Sequence, residues 1–157
     1  MAASNPDRPA LLLVCTANLC RSPMAETVLR AYGAGWAVVA SAGTRAAPRA
    51  HDMDARARAA LVQRRYQPAV KWRSRRIVSE DFVNFSRILA MDEDNMYDLR
   101  RSCPPEHLHK LGMFLDLVPG MAGQSVPDPY FGSVQGFERV LDLIEAAVRE
   151  SRIRPQG

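Results

Sequence analysis

Near its start the chain reads Leu11-Leu-Leu-Val-Cys15-Thr-Ala-Asn-Leu-Cys20-Arg-Ser-Pro23, an apolar run that ends at a cysteine and continues into a short loop. The amphipathic stretch 24–32 follows, so the segment is typical of a strand, a tight loop and a helix. Pro23 suits the first helical turn, where its missing N–H costs nothing. Backbone N–H groups of such a loop, with the positive end of the helix dipole, bind a phosphate-like dianion. We therefore predict a phosphate-binding loop formed by Thr16, Ala17, Asn18, Leu19, Cys20, Arg21 and Ser22.

Cys15 and Arg21 supply the chemistry that this loop predicts. The field of the loop favours thiolate over thiol, and the thiolate sits behind the bound phosphorus as a nucleophile. Arg21 can hold two phosphoryl oxygens with its planar guanidinium fork. The competing interpretation is a buried structural cysteine at the end of a strand. The strand before the loop, Asn18 within it and the Ser22-Pro23 helix start favour the catalytic interpretation.

Short apolar strands alternate with helical stretches along the rest of the chain. This alternation predicts an α/β fold, a three-layer α/β/α sandwich around a central four-stranded parallel sheet. Ligands of such sheets bind outside the carboxyl ends of the strands, where Cys15, Ser41, Asp92 and the loop 118–133 all fall. The predicted strands are 10–14, 36–40, 87–91 and 113–117, and the predicted helices are 22–33, 54–66, a short one from Ser79, 93–101 and 134–152, with Ala59, Ala60, Leu61 and Val62 of the second helix and Phe137, Val140, Leu141, Ile144 and Val148 of the last facing the core.

Length and composition limit the classes of protein to which the chain can belong. A chain of 157 residues fits one domain, and we expect a disordered tail over residues 1–9 and a single domain over 10–157. The sequence has no apolar stretch near the ~18 residues of a membrane span and no signal-peptide pattern at its start, so we expect a cytoplasmic protein with no membrane partner. Three cysteines without a framework pattern fit a reducing compartment. The histidines His51, His107 and His109 are scattered, which predicts no metal site, and we expect no cofactor.

The formal net charge is +4, and arginine outnumbers lysine 19 to 2. This basicity fits attraction of phosphorylated or acidic substrates, and it equally fits a compositional bias with solvated helix faces. Aromatic residues do not alternate with the basic ones, so nucleic acid is not a predicted partner.

Asp128 stands between Pro127 and Pro129, and the two prolines disfavour helix and stiffen the loop. A rigidly held carboxyl near the leaving oxygen is what a general acid requires, although Asp and Pro are also ordinary turn residues. The aromatic pair Tyr130 and Phe131 follows, and it suits the wall of a slot that accepts an aryl ring. The alternative for Phe131 is a place in the core.

Four motifs together resemble the low-molecular-weight protein tyrosine phosphatases. They are Val14–Glu26, Ser41-Ala-Gly-Thr44, Ile88–Asp92 with Asn95, and Val126-Pro-Asp-Pro-Tyr-Phe-Gly132, and the resemblance covers about residues 10–150. It implies hydrolysis of phosphotyrosine and aryl phosphate monoesters through a cysteinyl-phosphate, with inorganic phosphate as product.

The resemblance also implies roles for residues around the loop. Asn18 and Ser22 organise it, and Ser22 donates a hydrogen bond to the thiolate; Ser22 also suits a helix N-cap. Ser41 supports the loop, and Trp72 stands where relatives often carry a supporting histidine. Cys20 can trap an oxidised Cys15 as a reversible disulfide, or it can be a small buried side chain.

The chain departs from the family at its loop and at one wall of the slot. Ala17 replaces a frequent loop glycine. Ala46 and Ala47 stand where relatives carry a large wall residue, so we predict an open-sided slot in which Arg45 and Arg49 recruit acidic residues around the phosphotyrosine.

Two other functions are compatible with the same fold. An arsenate reductase needs a relay of further cysteines, and only Cys103 lies in the relevant segment. A non-enzymatic phosphate-binding module would lack Cys15, Arg21 or Asp128, and all three are present. For the phosphatase, the candidate substrates are a bacterial tyrosine kinase of polysaccharide export, another phosphotyrosyl protein or a small aryl phosphate.

Overall fold

A computed structural model describes residues 9–33 and 35–150. Its centre is a four-stranded parallel sheet with the order β2-β1-β3-β4, which confirms the predicted α/β fold. The strands are β1 (Ala10–Cys15), β2 (Val38–Gly43), β3 (Arg87–Ala90) and β4 (Leu111–Met113), and the helices are α1 (Arg21–Tyr32), α2 (Ala55–Gln63), α3 (Ser79–Asn84), α4 (Glu93–Ser102) and α5 (Val134–Glu150).

Strand β1 is buried on both faces, because successive side chains point to opposite sides of the sheet and both sides carry helices. Leu11 and Leu13 pack into a core formed with α1, α2 and α5. Leu12 and Val14 pack into a second core formed with α3 and α4. All four are 0% exposed. The continuous apolar run therefore follows from a strand with no solvated face.

The order of the strands creates the crevice that holds the site. β1 lies between β2 and β3, and the helices that follow β1 and β3 cover opposite faces of the sheet. The loops after these two strands therefore diverge, which is where ligands of open parallel sheets bind. Cys15 is the last residue of β1, and Asp92 lies two residues beyond β3.

Polar residues fix where the helices begin and end. Asp92 caps α4, since its Oδ1 accepts from the Asn95 N–H at 2.7 Å while the Asn95 Oδ1 accepts from the Asp92 N–H at 3.2 Å. Helix α1 ends at Gly33, whose φ of 57° is left-handed and favours glycine. At its start, Cys20 makes no side-chain cap. The helix already includes Ser22, so the N-cap interpretation of Ser22 is wrong.

Two predicted strands are shifted. β2 extends to Gly43 instead of ending at residue 40, so Ser41 lies within the strand. β4 covers 111–113, and the predicted 113–117 is a strand only at Met113, because Phe114–Leu117 forms a 3₁₀ turn. The Asp116 carboxylate closes this turn by accepting the Met113 N–H at 3.1 Å and the Gly123 N–H at 2.7 Å.

The buried faces of α2 and α5 follow helical spacing. In α2 the buried residues are Ala57, Ala60 and Leu61, so the prediction was wrong for Ala59, which is exposed, and for Val62, which is 58% exposed. In α5 the predicted face is buried at Phe137, Val140, Leu141 and Ile144, and Val148 is partly buried. The predicted tail over residues 1–9 lies outside the described residues except at Pro9, whose carbonyl accepts the Ala37 N–H at 2.9 Å. The predicted helix end at 152 also lies outside them.

Gly43, at the end of β2, lies against the loop that follows β1. A Cβ built on Gly43 would stand 2.5 Å from the Thr16 carbonyl oxygen and 2.9 Å from the Asn18 nitrogen. Only glycine lets the two backbones approach this closely.

Among the helices that the structure describes, none is long and apolar enough to cross a membrane.

Candidate active site

A cavity of about 250 Å³ opens at the carboxyl edge of the sheet, between the loop after β1 and the loop 118–133. It brings together residues that stand more than a hundred positions apart. Every predicted catalytic residue lines it, and so do most of the predicted loop and slot residues. The lining consists of Cys15, Thr16, Ala17, Leu19, Cys20, Arg21, Asp128, Tyr130 and Phe131.

The Cys15 sulfur is hydrogen-bonded to a neighbouring hydroxyl group. Cys15 Sγ lies 2.9 Å from Ser22 Oγ. The Asn18 amide nitrogen donates to the same hydroxyl at 2.9 Å, so the Ser22 oxygen is already an acceptor there. The single Ser22 proton is left for Sγ, or for the Ala42 carbonyl at 3.5 Å, which is a poor distance. This geometry gives a Cys15 thiolate one fixed hydrogen-bond donor.

Asn18 occupies a conformation that few residues tolerate. Its φ is 59°, in the left-handed region where Asn is enriched. Its amide nitrogen also donates to Ser41 Oγ at 3.0 Å, and its Oδ1 accepts the Arg75 N–H at 2.9 Å. The Arg75 guanidinium in turn binds both carboxylate oxygens of Asp81 at 2.9 and 3.0 Å. The loop is thereby tied to β2 and to the segment before α3.

A buried carboxylate, Glu26, ends the hydrogen-bond chain behind the loop. Ser41 Oγ donates to Glu26 Oε1 at 2.5 Å, and Trp72 Nε1 donates to the same oxygen at 3.2 Å. Arg30 lies 3.1 Å from the other oxygen, Oε2. Because Glu26 only accepts, an indole that only donates is a sufficient partner at position 72. Glu26 was not predicted as a site residue, although it lies one helical turn after Ser22 in the quoted motif.

Arg21 is 2% exposed and points into the cavity. Its NH1 nitrogen lies 2.7 Å from Asp92 Oδ2 and donates to the Val126 carbonyl at 2.9 Å. Its NH2 nitrogen has longer contacts, 3.5 Å to Thr16 Oγ1 and 3.7 Å to Asp128 Oδ2. Burial opposes the charge on Arg21, but the nearby Cys15, Asp92 and Asp128 raise its pKa above the ordinary value.

Asp128 combines a turn with a free carboxylate oxygen. Its Oδ1 accepts the Tyr130 N–H at 3.1 Å, the local bond expected of an Asp in a turn. Its Oδ2 lies 3.7 Å from Arg21 NH2, and the side chain is 49% exposed. The turn therefore orients the carboxyl toward the cavity. Asp128 can be both a turn residue and a general acid, because the same geometry serves both roles.

The aromatic pair forms one wall of the cavity. Phe131 is 94% exposed, so the alternative that it packs in the core is wrong. Its ring meets Tyr130 edge to face, with 4.9 Å between centroids. Arg56, which was not predicted, donates to the Tyr130 carbonyl at 2.9 Å and lies 5.5 Å from the ring centroid. Ala47 is exposed and is not a lining residue; Ala17 and Leu19 line the cavity instead.

The three cysteines separate into two places. Cys20 is buried beside the same cavity as Cys15, and burial, followed by the nearby Asp54, Cys15 and Asp128, raises its pKa to about 12. Cys103 lies in the core on the other face of the sheet, with Sγ 3.4 Å from the Pro104 oxygen. In the described part of the chain no three His, Cys, Asp or Glu residues group as metal ligands would.

A cysteine held by a hydroxyl donor, with a buried arginine and a carboxyl in one cavity after β1, is the site of a cysteine-dependent phosphatase. The family model described as low molecular weight phosphotyrosine protein phosphatase matches residues 10–152. The chain belongs to this family, and it is a hydrolase that acts on phosphotyrosine. The resemblance seen in the sequence is confirmed, and arsenate reduction is not favoured.

Relatives match over nearly their whole length. A Synechocystis sp. protein assigned by name to the low molecular weight protein-tyrosine-phosphatases is 40% identical over 143 residues, 87% of this chain and 90% of that protein. A low molecular weight phosphotyrosine phosphatase structure from Vibrio cholerae has a TM-score of 0.80 at 38% identity, covering 88% of this chain and 91% of that one. Vibrio vulnificus Wzb in complex with benzylphosphonate has a TM-score of 0.75 at 28% identity, covering 89% and 94%.

Replacing Asn18 tests the network behind the loop. Asn18→Gly keeps the left-handed backbone but removes the side-chain bonds, so Ser22 and Cys15 lose their alignment and kcat for p-nitrophenyl phosphate should fall about 10- to 100-fold. Asn18→Ala should lose a similar factor and a further ~1 kcal/mol of unfolding free energy, because alanine resists positive φ. Wild-type kcat in Asn18→Gly would show that these bonds do not align the nucleophile.

Proposed function

We propose that this phosphatase acts on phosphotyrosyl proteins with Cys15 as nucleophile, Arg21 as the phosphoryl ligand and Asp128 as general acid and base. The observation that carries the assignment is the cavity itself, in which Cys15 Sγ stands 2.9 Å from the Ser22 hydroxyl and Arg21 and Asp128 face the same space. A nucleophile, a cation and a proton donor are the groups that phosphoryl transfer needs.

In the first step the Cys15 thiolate attacks phosphorus in line with the leaving oxygen. The S–P bond forms and the P–O bond to the tyrosine breaks, while Asp128 gives its proton to the departing phenolate. Arg21 holds phosphoryl oxygens and stabilises the charge of the transition state. The Ser22 hydroxyl 2.9 Å from sulfur stabilises the thiolate before attack and again when it leaves.

In the second step a water molecule replaces the tyrosine. Asp128, now a carboxylate, takes a proton from this water, whose oxygen attacks phosphorus. The S–P bond breaks, inorganic phosphate forms, and Cys15 returns as the thiolate. The half-exposed Asp128 side chain gives water access to the group that must activate it.

The aromatic wall favours an aryl substrate. Phe131 and Tyr130 expose ring surface beside the cavity, and a phosphotyrosine ring that reaches Cys15 would cover part of it. We expect the shorter phosphoserine side chain to bring its phosphate less close to the sulfur. The related Wzb binds benzylphosphonate, an aryl-bearing phosphonate. We extend the proposal to a bacterial tyrosine kinase as partner and to a cytoplasmic location, where free thiols such as the three here persist.

Cys20 gives the site a response to peroxide. Peroxide oxidises the Cys15 thiolate to a sulfenic acid, and attack by the Cys20 sulfur forms the Cys15–Cys20 disulfide and releases water. Both cysteines line one cavity, whereas Cys103 lies on the other face of the sheet. The disulfide would protect Cys15 from irreversible oxidation and return to two thiols on reduction.

The activity is tested with matched phosphopeptides. The wild-type protein should hydrolyse a phosphotyrosyl peptide and leave phosphoseryl and phosphothreonyl peptides of the same sequence largely intact, as phosphate release measures. Cys15→Ser should be inactive with an unchanged circular dichroism spectrum, because a serine hydroxyl lacks an accessible anion at neutral pH. Turnover by Cys15→Ser would exclude Cys15 as the nucleophile.

Asp128→Asn should affect a substrate whose leaving group needs a proton more than one whose leaving group does not. The variant's kcat/KM on phosphotyrosine, which reports the step in which the leaving group departs, should fall by roughly 10²–10⁴, the usual contribution of a general acid. The loss should be smaller on p-nitrophenyl phosphate, because p-nitrophenolate leaves with little protonation. Equal losses of kcat/KM on the two substrates would contradict Asp128 as the general acid.

The raised pKa of Cys20, about 12, sets the pH dependence of disulfide closure. Below this value the thiolate fraction rises tenfold per pH unit. Closure from the Cys15 sulfenic acid should therefore accelerate steadily between about pH 6.5 and 8.5, measured by mass spectrometry against a sulfenic-acid trap. Cys103→Ser should behave like wild type and Cys20→Ser should form no disulfide. A pH-independent closure rate would contradict a Cys20 thiolate as the attacking group.

A further inference from the structure

A second cavity, of about 280 Å³, lies beside the catalytic one and shares no residue with it. It forms where the end of β2, the segment after Arg75 and the second half of α4 meet. Its lining is almost entirely polar: Thr44, Arg45, Arg76, Asp98, Arg101 and Ser102.

Two arginines of this cavity make no close ion pair within the described part of the chain, although the charge of one of them, Arg101, acts on Asp98. Arg45 pairs with Asp98 through contacts of 2.9 and 3.3 Å, and this hydrogen bond and charge lower the Asp98 pKa. Arg76 and Arg101 are exposed, and within the described part of the chain neither guanidinium makes an ion pair. Arg101 lies 5.6 Å from the centroid of the Tyr97 ring. The lining residues, three arginines and one carboxylate, carry a formal charge of about +2, and Asp94 acts on Arg45 from one helical turn before Asp98.

Arginines without an ion pair also occur elsewhere on the described surface, as at Arg139 and Arg149, whereas others are fully neutralised. Arg64, for example, contacts the carboxylates of Glu138, Asp142 and Glu145 at 2.8, 2.9 and 2.7 Å. A solvated helix face also spreads its charges, whereas Arg76 and Arg101 come from distant positions and converge on one concave surface. Clustered guanidinium groups in a concavity are suited to a phosphate or carboxylate.

The second cavity is attached to the catalytic loop. The Thr44 N–H donates to the Cys15 carbonyl and the Arg45 N–H donates to the Thr16 carbonyl, each at 2.9 Å. On α4, Asp92 contacts Arg21, and Asp98 lies six residues further along, about 9 Å at 1.5 Å per residue. An extended peptide spans about 3.3–3.6 Å per residue, so about three residues bridge the two cavities.

We propose that the second cavity, through Arg76 and Arg101, binds an anionic side chain of the substrate. This side chain is a carboxylate or a second phosphate, about three residues from the phosphotyrosine in the catalytic cavity. This inference rests on the proposed function and names the substrate class more closely. Arg45 and Arg49 were the residues predicted from the sequence for this task. Arg45 lines the cavity but is already paired with Asp98, so Arg76 and Arg101 provide the available charge.

The test compares kcat/KM on phosphotyrosyl peptides that differ at one flanking position. The reference peptide has neutral flanks. In the glutamate series, one glutamate is placed at a single position, up to four residues on either side of the phosphotyrosine. In the phosphonate series, a non-hydrolysable phosphonate analogue of phosphotyrosine is placed at the same positions, again one at a time. Wild-type protein should prefer an anion about three residues away on one side by about 2- to 30-fold, as two exposed ion pairs give. The phosphonate series should exceed the glutamate series, since it carries the greater charge.

The variants decide which residues are responsible. Arg76→Gln with Arg101→Gln should abolish the preference and leave kcat/KM on the neutral peptide and on p-nitrophenyl phosphate unchanged. Arg139→Gln with Arg149→Gln, two exposed arginines of α5, makes the same change in net charge and should keep the preference.

Three outcomes would overturn the proposal. They are a preference that survives in the Arg76–Arg101 variant, an equal loss in the α5 control, and a gain that does not depend on position. Wild-type protein that turns over p-nitrophenyl phosphate but not the neutral phosphotyrosyl peptide would contradict the proposed function instead, and direct binding of the peptides to Cys15→Ser would still measure the charge preference.

Discussion

The site depends on the hydrogen bonds of one side chain, that of Asn18. Its amide group donates to Ser22 and Ser41, and its oxygen accepts the Arg75 N–H, so three separate segments of chain are joined at one residue. A side chain that makes three bonds inside the protein replaces water at each of them, and each buried bond contributes about 1 kcal/mol net. The left-handed backbone that this requires is one that Asn accepts more readily than other residues with a Cβ.

The same network explains why charge is buried around the loop. Arg21 is 2% exposed and Glu26 is 5% exposed, and a buried charge is costly unless it is paired and hydrogen-bonded. Each has such partners: Asp92 for Arg21, and Arg30, Ser41 and Trp72 for Glu26. The pair Arg21–Asp92 also fixes one nitrogen of the guanidinium, which leaves the NH2 side toward the cavity. Position 72 needs only an N–H donor in this arrangement, and the indole of Trp72 supplies it.

The sequence predicts those features that local pattern determines. The phosphate-binding loop and the loop 118–133 are recognisable because Cys15, Arg21 and Asp128 stand within short motifs. The sheet is recognisable from apolar strands that alternate with helices. Asp92 was predicted to lie at the carboxyl edge of the sheet, but its contact with Arg21, 71 positions away, was not, and Arg56 takes part through a contact 74 positions away. The strand predicted at 113–117 was wrong over most of its length because an apolar run is compatible with a buried 3₁₀ turn, and a single carboxylate, Asp116, closes that turn.

The two cavities can contribute to selectivity without interfering with each other. Phe131 and Tyr130 expose ring surface that an aryl group would cover, so recognition of the phosphotyrosine ring depends on apolar contact and on reach. Arg76 and Arg101 are exposed and do not line the catalytic cavity, so solvent and salt screen much of their effect on the transferred phosphate. They act instead on a group that they contact directly. Changes of charge at this flank can therefore alter which phosphotyrosine is chosen while the Cys15 chemistry stays the same.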